Sequence, residues 1–303
     1  MQGPSTDQIS VFLAVVDQGS FIAAAKSLRR AQSAITYAVK RLEEQLGLTL
    51  FDRTEYRAVL TEAGRALVPN ARRIADGVAA MRAQAISLAE GHEADISIVV
   101  DSIYPMQRVH EALRLFSQAF PAIPTQLHVE SYARAMTLLV EDVCSIGLVN
   151  EASCATAPIP LEVLPAGTVE LVPVVAPTHP LAAVQGAIAV EAMHDHVRLV
   201  LGEGGSAAMS RPTGVFYGSL WFVNDIAAKR ELLLTGVGWG IMPLHLVQSD
   251  LDAGRLSRIE PEKIDYPASR KPGEPHLNPM FCVYRSGRVP GPATRWLLDH
   301  LAD

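Results

Sequence analysis

The stretch from Ser20 to Leu46 contains two helix-forming segments separated by a short polar turn at residues 29–31. The first segment, Phe21 to Leu28, is rich in alanine, and the second runs from about Gln32 to Leu46. The apolar residues of the second segment recur at steps of four, three and four, so they share one face of a helix: Ile35, Val39, Leu42 and Leu46. The opposite face carries side chains that can bind phosphates and base edges: Gln32, Ser33, Thr36, Tyr37, Lys40 and Arg41. A short helix followed by such a longer one is typical of a helix-turn-helix, whose second helix enters the major groove of DNA.

The charge of the chain is unevenly distributed. The 303 residues carry a formal net charge of −6. Between residues 23 and 73, ten lysines and arginines outnumber five acidic residues, which gives +5 there and leaves about −11 for the remainder. A basic head on an acidic body is typical of a protein that binds DNA through one module only. The length also predicts two or three domains.

The segment that follows the two helices predicts a wing. Residues 48–51 are apolar and would form a strand, residues 53–57 would form the tip of a hairpin, and Leu60 would close the second strand. Two arginines at this tip, Arg53 and Arg57, would reach the phosphate backbone. Upstream, a first helix is expected over residues 7–17, with Gly19 ending it and Ser20 capping the next helix.

A long helix is predicted to begin after Thr61, which suits an N-cap. Apolar residues recur along it at alternating steps of four and three, as in an a/d seam of three heptads: Leu67, Ala71, Ile74, Val78, Met81, Ala85 and Leu88. The seam requires a second helix beside it. That helix could come from the same domain, but we favour a second copy of the chain, because a helix that joins two modules has little else to bury against.

The run from Phe12 to Gly64 resembles the winged helix-turn-helix of LysR-type transcriptional regulators. The motifs that carry the resemblance are AA-x-x-L, Q-S-A-I-T, RLEEQLG, LF-x-R and LT-x-AG, in that order. The chain departs from the usual family pattern at Ala31, Ser33 and Tyr37, which predicts a weaker or shifted N-cap and an altered preference for operator bases. The resemblance and the exposed-face pattern together predict these DNA contacts: Arg29, Arg30, Gln32, Ser33, Ala34, Thr36, Tyr37, Lys40, Arg41, Arg53 and Arg57.

From about Glu93 the sequence alternates between strand and helix patterns, which indicates an α/β domain with parallel strands. Strands are expected over residues 96–100, 126–131, 146–149, 169–176, 197–201, 220–223 and 281–284, and helices over 106–120, 136–141, 226–235 and 294–301. A single large sheet is one solution. The LysR resemblance implies instead two α/β subdomains, as in periplasmic binding proteins, with crossings near residues 164–167 and 268–276. The expected domains are therefore 1–61, 62–91 and 92–303, the last divided into subdomain I (92–166 and 269–303) and subdomain II (167–268).

The sequence offers no convincing catalytic set, metal site or cofactor motif. The glycine-rich segments at 202–206 and 236–240 lack the spacing or context of a phosphate or dinucleotide loop. The three cysteines, Cys144, Cys154 and Cys282, are scattered and odd in number, so neither a disulfide framework nor a zinc site is expected. Because no apolar run approaches the roughly 18 residues of a membrane span and the start lacks a basic signal region, a cytoplasmic location is expected.

What remains is a ligand cleft at the carboxyl ends of strands. Ser102 leaves the first predicted strand of the body and could either hold a polar ligand group or simply cap the next helix. The LysR resemblance implies an effector between the subdomains, with these matching positions: Ser102, Ile103, Tyr104, Val149, Asn150, Leu201, Gly202, Val223, Asn224 and Trp239. Many of them are apolar and none is Arg or Lys, which favours a neutral or weakly polar, aromatic-compatible ligand over a multiply charged one.

The leading hypothesis is a sequence-specific transcriptional regulator controlled by a small-molecule effector. Its alternatives are a regulator that needs no ligand and, from another class, an α/β enzyme or solute-binding protein with a helical appendage. The expected partners are double-stranded operator DNA, a small-molecule effector, and further copies of the chain as a dimer or tetramer, with RNA polymerase as a further candidate. No cofactor, metal or membrane is expected.

Overall fold

A computed structural model describes residues 3–52, 58–202, 218–262 and 275–302 of the chain. The chain separates into two compact units, residues 1–90 and residues 91–303. Among the described residues, no single helix is long and apolar enough to cross a membrane; the first two helices pass that test only as a pair bent by 116°.

The first unit is mainly helical. Its elements are α1 (Thr6–Gln18), α2 (Phe21–Ser27), α3 (Gln32–Leu46), β1 (Phe51–Asp52), β2 (Val59–Leu60) and α4 (Glu62–Ala89). Ser5 begins α1 with a reciprocal capping box, Gly19 ends it in the left-handed conformation, and the Ser20 hydroxyl caps α2. The predicted stop at Gly19, the cap at Ser20 and the bounds of α3 are confirmed.

The core of the first unit forms where α1, α2 and α3 meet β1. Phe12 and Phe21 both pack edge-on against Phe51; the ring centroids are 5.6 Å apart for Phe12 and Phe51, and 5.3 Å apart for Phe21 and Phe51. Ile35 and Val39 supply the buried face of α3. The carboxylate of Glu43 accepts hydrogen bonds from the Leu50 and Phe51 amides, at 2.7 and 3.3 Å, and so ties α3 to the first strand of the hairpin.

The long helix α4 changes character along its length. Thr61 caps it, and Leu67 and Ala71 pack into the core of the first unit. Further along the predicted seam, Ile74, Met81 and Leu88 are exposed in the single chain, with Met81 65% exposed. The seam is therefore partly used within the unit, and most of its length presents an apolar row to solvent.

The second unit begins with a half rich in parallel strands. Its elements are β3 (Ile96–Asp101), α5 (Met106–Ala119), β4 (Thr125–Glu130), α6 (Tyr132–Val140), β5 (Ile146–Asn150), α7 (Glu151–Ala155) and the long strand β6 (Leu161–Val175). The last two elements of the chain return to this half: β13 (His276–Arg285) and α11 (Pro292–Leu301). Strands β3, β4 and β5 run parallel, whereas β13 runs antiparallel to β5.

The other half lies between β6 and β13 in the chain. It contains a 3-10 helix (Pro180–Ala183), β7 (Ala187–Ile188), α8 (Val190–Met193), β8 (Arg198–Leu201), β9 (Leu220–Val223), α9 (Ile226–Leu234), β10 (Trp239–Pro243), α10 (Leu244–Asp252), β11 (Ser257–Arg258) and β12 (Glu260–Pro261). Strands β8, β9 and β10 are parallel to one another.

The two halves share one hydrogen-bonded sheet with the strand order β4-β3-β5-β13-β6-β10-β8-β9, to which β11 adds beside β6. The link is the antiparallel pairing of β6 with β13, which runs from Leu161 opposite Arg285 to Leu171 opposite His276. Each half nevertheless has hydrophobic clusters of its own, one set around Ile98 and Leu148 and another around Val174 and Met242. The expected two-part α/β body is thus present, with strands as its crossovers.

The structure corrects several predicted boundaries. The expected crossing at residues 164–167 lies within the strand β6, where β13 pairs with it. Strand β13 is longer than the predicted 281–284, and α7 and α10 were not predicted. The second expected crossing, residues 268–276, lies largely outside the described residues, as does the predicted hairpin tip at residues 53–57.

Candidate DNA-binding face and effector-binding edge

The outer face of α3 is open to solvent. Ile35, Val39 and Leu42 are buried on the inner face. The predicted contact residues of α3 all lie on exposed positions: Gln32, Ser33, Ala34, Thr36, Tyr37, Lys40 and Arg41. Tyr37 is 65% exposed, so an aromatic ring with a hydroxyl stands in the middle of this face.

The start of α3 has no side-chain cap. Ala31 is the N-cap residue, and its carbonyl accepts hydrogen bonds from the Ala34 and Ile35 amides at 3.0 and 3.3 Å. Ser33 lies inside the first turn of the helix and does not replace the missing cap. Arg29, just before this start, has a positive φ of 52°, a conformation that shapes the tight turn between the two helices. Free amides at the start of α3 are suited to a phosphate group.

The cations around α3 differ in how they are held. Arg30 forms a bidentate pair with Asp7, with N–O distances of 2.8 and 3.0 Å, and this pairing lowers the pKa of Asp7. Arg41 pairs with Glu44 at 3.1 Å, whereas Lys40 lies 4.0 Å from the same carboxylate. These pairs are solvent-exposed and therefore weak enough to be exchanged for phosphates. Arg53 and Arg57 lie outside the described residues.

In the second unit, a buried hydrogen-bond chain connects the carboxyl ends of β3 and β5. Asp101 Oδ1 accepts from the Ile103 amide at 3.2 Å, and Asp101 Oδ2 accepts from Asn150 Nδ2 at 2.9 Å. Asn150 Oδ1 in turn accepts from the Ser153 amide at 3.0 Å and thereby caps α7. The chain fixes the two turns that leave this edge of the sheet, which is where α/β proteins place their ligands.

Asp101 belongs to these linked hydrogen bonds although it was not among the predicted site residues. It is 1% exposed, and burial raises its pKa to about 6, against the opposing effect of its hydrogen bonds to Ile103 and Asn150. Sequence reasoning placed Asp101 at the end of a strand but did not select it as a site residue. Its signal was a carboxylate directly after a mainly apolar strand, a position where an acidic side chain requires partners.

The predicted site residues next to Asp101 and Asn150 lie partly at the edge of the sheet and partly in the hydrophobic core. The Ser102 hydroxyl lies at the edge and has no hydrogen-bond partner among the described residues. Ile103 and Tyr104 pack into the main hydrophobic cluster, and the Tyr104 hydroxyl donates to the Ala166 carbonyl at 3.1 Å. Val149 is fully buried against α6, so it supports the sheet and does not face a ligand.

The other half contributes the ends of β8 and β9. Leu201 packs against the hydrophobic cluster of the first half, which places the carboxyl end of β8 beside it. Gly202 follows with φ of 128°, a conformation that favours glycine. Val223 belongs to the core of its own half, and Asn224 is exposed beyond it.

Trp239 is a correction to the predicted site. It is fully buried in a cluster with Val175 and Met193, and the Arg198 guanidinium lies 5.1 Å from the centre of its ring. It begins β10 and pairs with Arg198, the first residue of the parallel strand β8. Trp239 therefore lies at the amino edge of the sheet, opposite the edge at which Leu201 ends.

Two cavities lie elsewhere in the second unit. One of about 410 Å³ is lined mainly by apolar residues from α5 to β4, among them Phe116 and Leu127. The other, of about 350 Å³, lies at the amino ends of β3 and β5 and includes Glu93 and Arg288. Neither is lined by Asp101 or Asn150.

The cysteines are not arranged for redox chemistry. Burial raises the pKa of Cys144 and of Cys154 to about 11, and that of Cys282 to about 12. These thiols are therefore poor nucleophiles near neutral pH. In the described parts of the chain, no group of three or more His, Cys, Asp or Glu side chains could hold a metal ion.

Two family models match the chain. The model "Bacterial regulatory helix-turn-helix protein, lysR family" matches residues 6–65, and the model "LysR substrate binding domain" matches residues 89–303. The chain belongs to the LysR family. It is thus a LysR-type transcriptional regulator with a helix-turn-helix for DNA and an effector-binding body, and LysR-type regulators are not a family of enzymes.

Relatives and solved structures agree with this LysR membership. The HTH-type transcriptional regulator PunR of Escherichia coli is 27% identical over 300 residues, which cover 97% of this chain and 92% of PunR. The HTH-type transcriptional activator AllS of Klebsiella pneumoniae is 26% identical over 260 residues, covering 84% and 94% of the two chains. The Corynebacterium glutamicum OxyR C206S mutant, bound to H2O2, has a TM-score of 0.56 at 18% identity and 99% and 95% coverage, a similarity of fold.

Proposed function

We propose that the exposed face of α3 binds an operator, with Tyr37 at the centre of its base contacts and Lys40 among its phosphate contacts. The observation that supports the proposal is the separation of the helix into a buried apolar face and an exposed polar face. Gln32, Ser33 and Thr36 can hydrogen-bond to base edges, and the Ala34 methyl can contact a thymine methyl. Lys40, Arg41, Arg29 and Arg30 would bind phosphates after exchanging their weak pairs, and Arg53 and Arg57 would do so from the wing.

The test is fluorescence anisotropy with labelled DNA from the region upstream of the protein's own gene, over a series of salt concentrations. Lys40→Ala should weaken binding to all sequences. It should also reduce the slope of the logarithm of the binding constant against the logarithm of the salt concentration by roughly 0.9, the value for one phosphate contact. Tyr37→Ala should change the preferred sequence, with a discrimination loss of about 1–3 kcal/mol at the bases it contacts. Arg72→Ala is the matched control, because Arg72 is a half-exposed cation of α4 that pairs with Asp17 of α1 and is not among the proposed DNA contacts. Unchanged binding by the Lys40 and Tyr37 variants would contradict the proposal.

We also propose that the effector binds where the carboxyl ends of β3 and β5 approach the carboxyl end of β8. The supporting observation is the buried Asp101–Asn150 chain beneath Ser102. Leu201, Gly202 and Asn224 would complete the site from the other half. We further propose that the chain passes between the two subdomains after residue 166 and near residue 268. A thermal-shift screen of the full chain against a metabolite library should give stabilising compounds whose effect is lost in Ser102→Ala; a ligand-independent regulator would give none.

The exposed row of α4 supports a further part of the proposal, which is pairing of two copies through Ile74, Met81 and Leu88. A dimer would set two α3 helices at fixed spacing on a two-fold operator, and two dimers would form a tetramer. Effector binding would then change the spacing of the DNA-binding units. This activity implies a cytoplasmic location and contact with RNA polymerase at the promoter, without a cofactor.

A further inference from the structure

Three buried polar oxygens at the candidate effector-binding edge have no hydrogen-bond partner among the residues that the structure describes: Ser102 Oγ, Ser153 Oγ and Asn278 Oδ1. Ser153 and Asn278 are 1% and 3% exposed. Buried polar groups in folded proteins are nearly always paired, with protein, water or ligand. Three such atoms near one edge therefore indicate that a polar molecule completes this region.

Strand register places Asn278 above the end of β5. Met280 pairs with Asn150, the last residue of β5, so Asn278 continues β13 two residues beyond that end. Asn278 and Met280 are both buried whereas Leu277 is exposed, so the two buried residues share one face of β13. Val169, opposite Asn278 on β6, packs in the same hydrophobic cluster as Ile103, the residue next to Ser102.

Asp101 is a buried acidic group at this edge. The two hydrogen bonds that Asp101 accepts come from the Ile103 amide and the Asn150 amide group, and no described Lys, Arg or His pairs with it. Consistent with this environment, burial dominates the raised pKa of Asp101. A negatively charged ligand group beside Asp101 would be repelled by this buried carboxyl group, with which no described cation pairs.

We propose that the end of the effector held at this edge carries N–H donors and no negative charge, and that Asn278 Oδ1 and the Ser102 hydroxyl recognise it. This inference rests on the proposed effector site. A carbonyl oxygen can only accept, so Asn278 requires a donor from the ligand, whereas the Ser102 hydroxyl can donate or accept. Asp101 acts as a positioning residue, since it holds Asn150 and the Ile103 turn. A carboxamide and a primary ammonium group share this donor chemistry.

The test compares probes of matched size that differ only at the polar end. Benzamide, benzylamine and benzoate, and isobutyramide, isobutylamine and isobutyrate, are titrated into the full-length protein at constant pH and ionic strength. Binding is followed by tryptophan fluorescence and by the thermal midpoint. We expect the amide or the ammonium member of each set to bind about tenfold more tightly than the carboxylate, the effect of one buried hydrogen bond. The comparison of amide with ammonium identifies which donor is used.

Three variants localise the effect. Asn278→Leu and Ser102→Ala should each weaken the preferred probe about tenfold and reduce the difference between donor and carboxylate probes. Ser97→Ala is the matched control, because Ser97 is a buried serine at the amino end of the same strand β3 and should leave binding unchanged. If Asn278→Leu does not fold, Ser102→Ala still tests the proposal, since it removes one hydroxyl from a partly accessible turn.

The outcomes separate this inference from the proposed effector site. Tighter binding of the carboxylates, lost in Ser102→Ala, would refute the donor preference and leave the effector site in place. Equal binding of all probes by wild type and variants would refute both. Absence of binding by every amide and ammonium probe would also overturn the donor preference.

Discussion

Lys229 offers a direct measure of how burial determines the stability of the second unit. It is 4% exposed, and its ammonium donates one hydrogen bond, of 2.7 Å, to the Ile241 carbonyl. No carboxylate pairs with it in the described parts of the chain. Gly240 makes room for the side chain, because a Cβ at that position would lie 3.2 Å from Lys229 Cε. Lys229→Met keeps an unbranched side chain, one heavy atom shorter, and removes the charge.

The magnitude follows from the pKa. Burial, assisted by the nearby Arg198, lowers the pKa of Lys229 from 10.5 to about 7. That depression makes the lysine destabilising by about 4 kcal/mol at pH 7, relative to a lysine with an ordinary pKa. The variant loses the hydrogen bond to Ile241, which leaves a carbonyl unpaired at a cost of about 1–2 kcal/mol. We therefore expect Lys229→Met to raise the free energy of unfolding by about 2–3 kcal/mol at pH 7.

The gain should depend on pH in a defined direction. The unfolded chain holds a proton on Lys229 up to about pH 10.5, whereas the folded chain releases it near pH 7. Between these values the unfolded state binds more protons, so the wild type gains stability from this residue as the pH rises. The advantage of Lys229→Met should accordingly be largest below pH 7 and shrink as the pH approaches 10.

The assay is urea unfolding monitored by tryptophan fluorescence. All three tryptophans, Trp221, Trp239 and Trp296, lie within residues 91–303, so the signal reports on the second unit. Arg134→Met, at an exposed cation of α6 in the same unit, is the matched control and should change stability by less than about 0.5 kcal/mol. A Lys229→Met protein that is no more stable than wild type at pH 7, or whose advantage grows with pH, would refute the reasoning.

Three further predictions concern stability, assembly and thiol reactivity. Asp250→Asn should lower the free energy of unfolding by about 2 kcal/mol at pH 7, because the carboxylate accepts charge-assisted hydrogen bonds from two arginines. Since this pairing lowers the pKa of Asp250, the wild-type advantage should decline progressively as the pH falls below about 4, and an advantage that is undiminished between pH 4 and pH 2 would contradict the assignment. Met81→Asp should convert a dimer or tetramer into smaller species in sedimentation velocity, whereas an unchanged oligomer would place the interface elsewhere. Cys144, Cys154 and Cys282 should react with iodoacetamide at pH 7.5 far more slowly in the folded protein than in urea, and rapid labelling of the native protein would contradict their raised pKa values.

The DNA-binding unit was predictable because its signals are local. The steps between Ile35, Val39 and Leu42 define one face of a helix without any knowledge of the partner. Gly19 and Ser20 mark a stop and a start through the backbone conformations and hydrogen bonds that they favour. The absence of a side-chain cap at Ala31 was also visible in the sequence.

The effector-binding edge was less predictable because its contacts are distant in sequence. Asp101 and Asn150 are 49 positions apart and meet only because β3 and β5 are neighbours. Asn278 reaches the same region because it lies on β13. The pairing of β13 with β6 cannot be predicted from the local sequence pattern. Trp239 was misplaced for a similar reason, since the direction of β10 decides at which edge its first residue lies.

The long pairing of β6 with β13 has a mechanical consequence. In a two-part ligand-binding body joined by loops, closure rotates the halves about a pivot whose residues carry few hydrogen bonds. Here the connecting strands are themselves part of the sheet, so any change in the angle between the halves must twist a continuous ladder. Twisting this connection would cost energy that increases with the angle of closure, so the sheet would resist each further step of closure. A ligand at the carboxyl edge would then set a graded angle, and its release would return the body to one resting geometry.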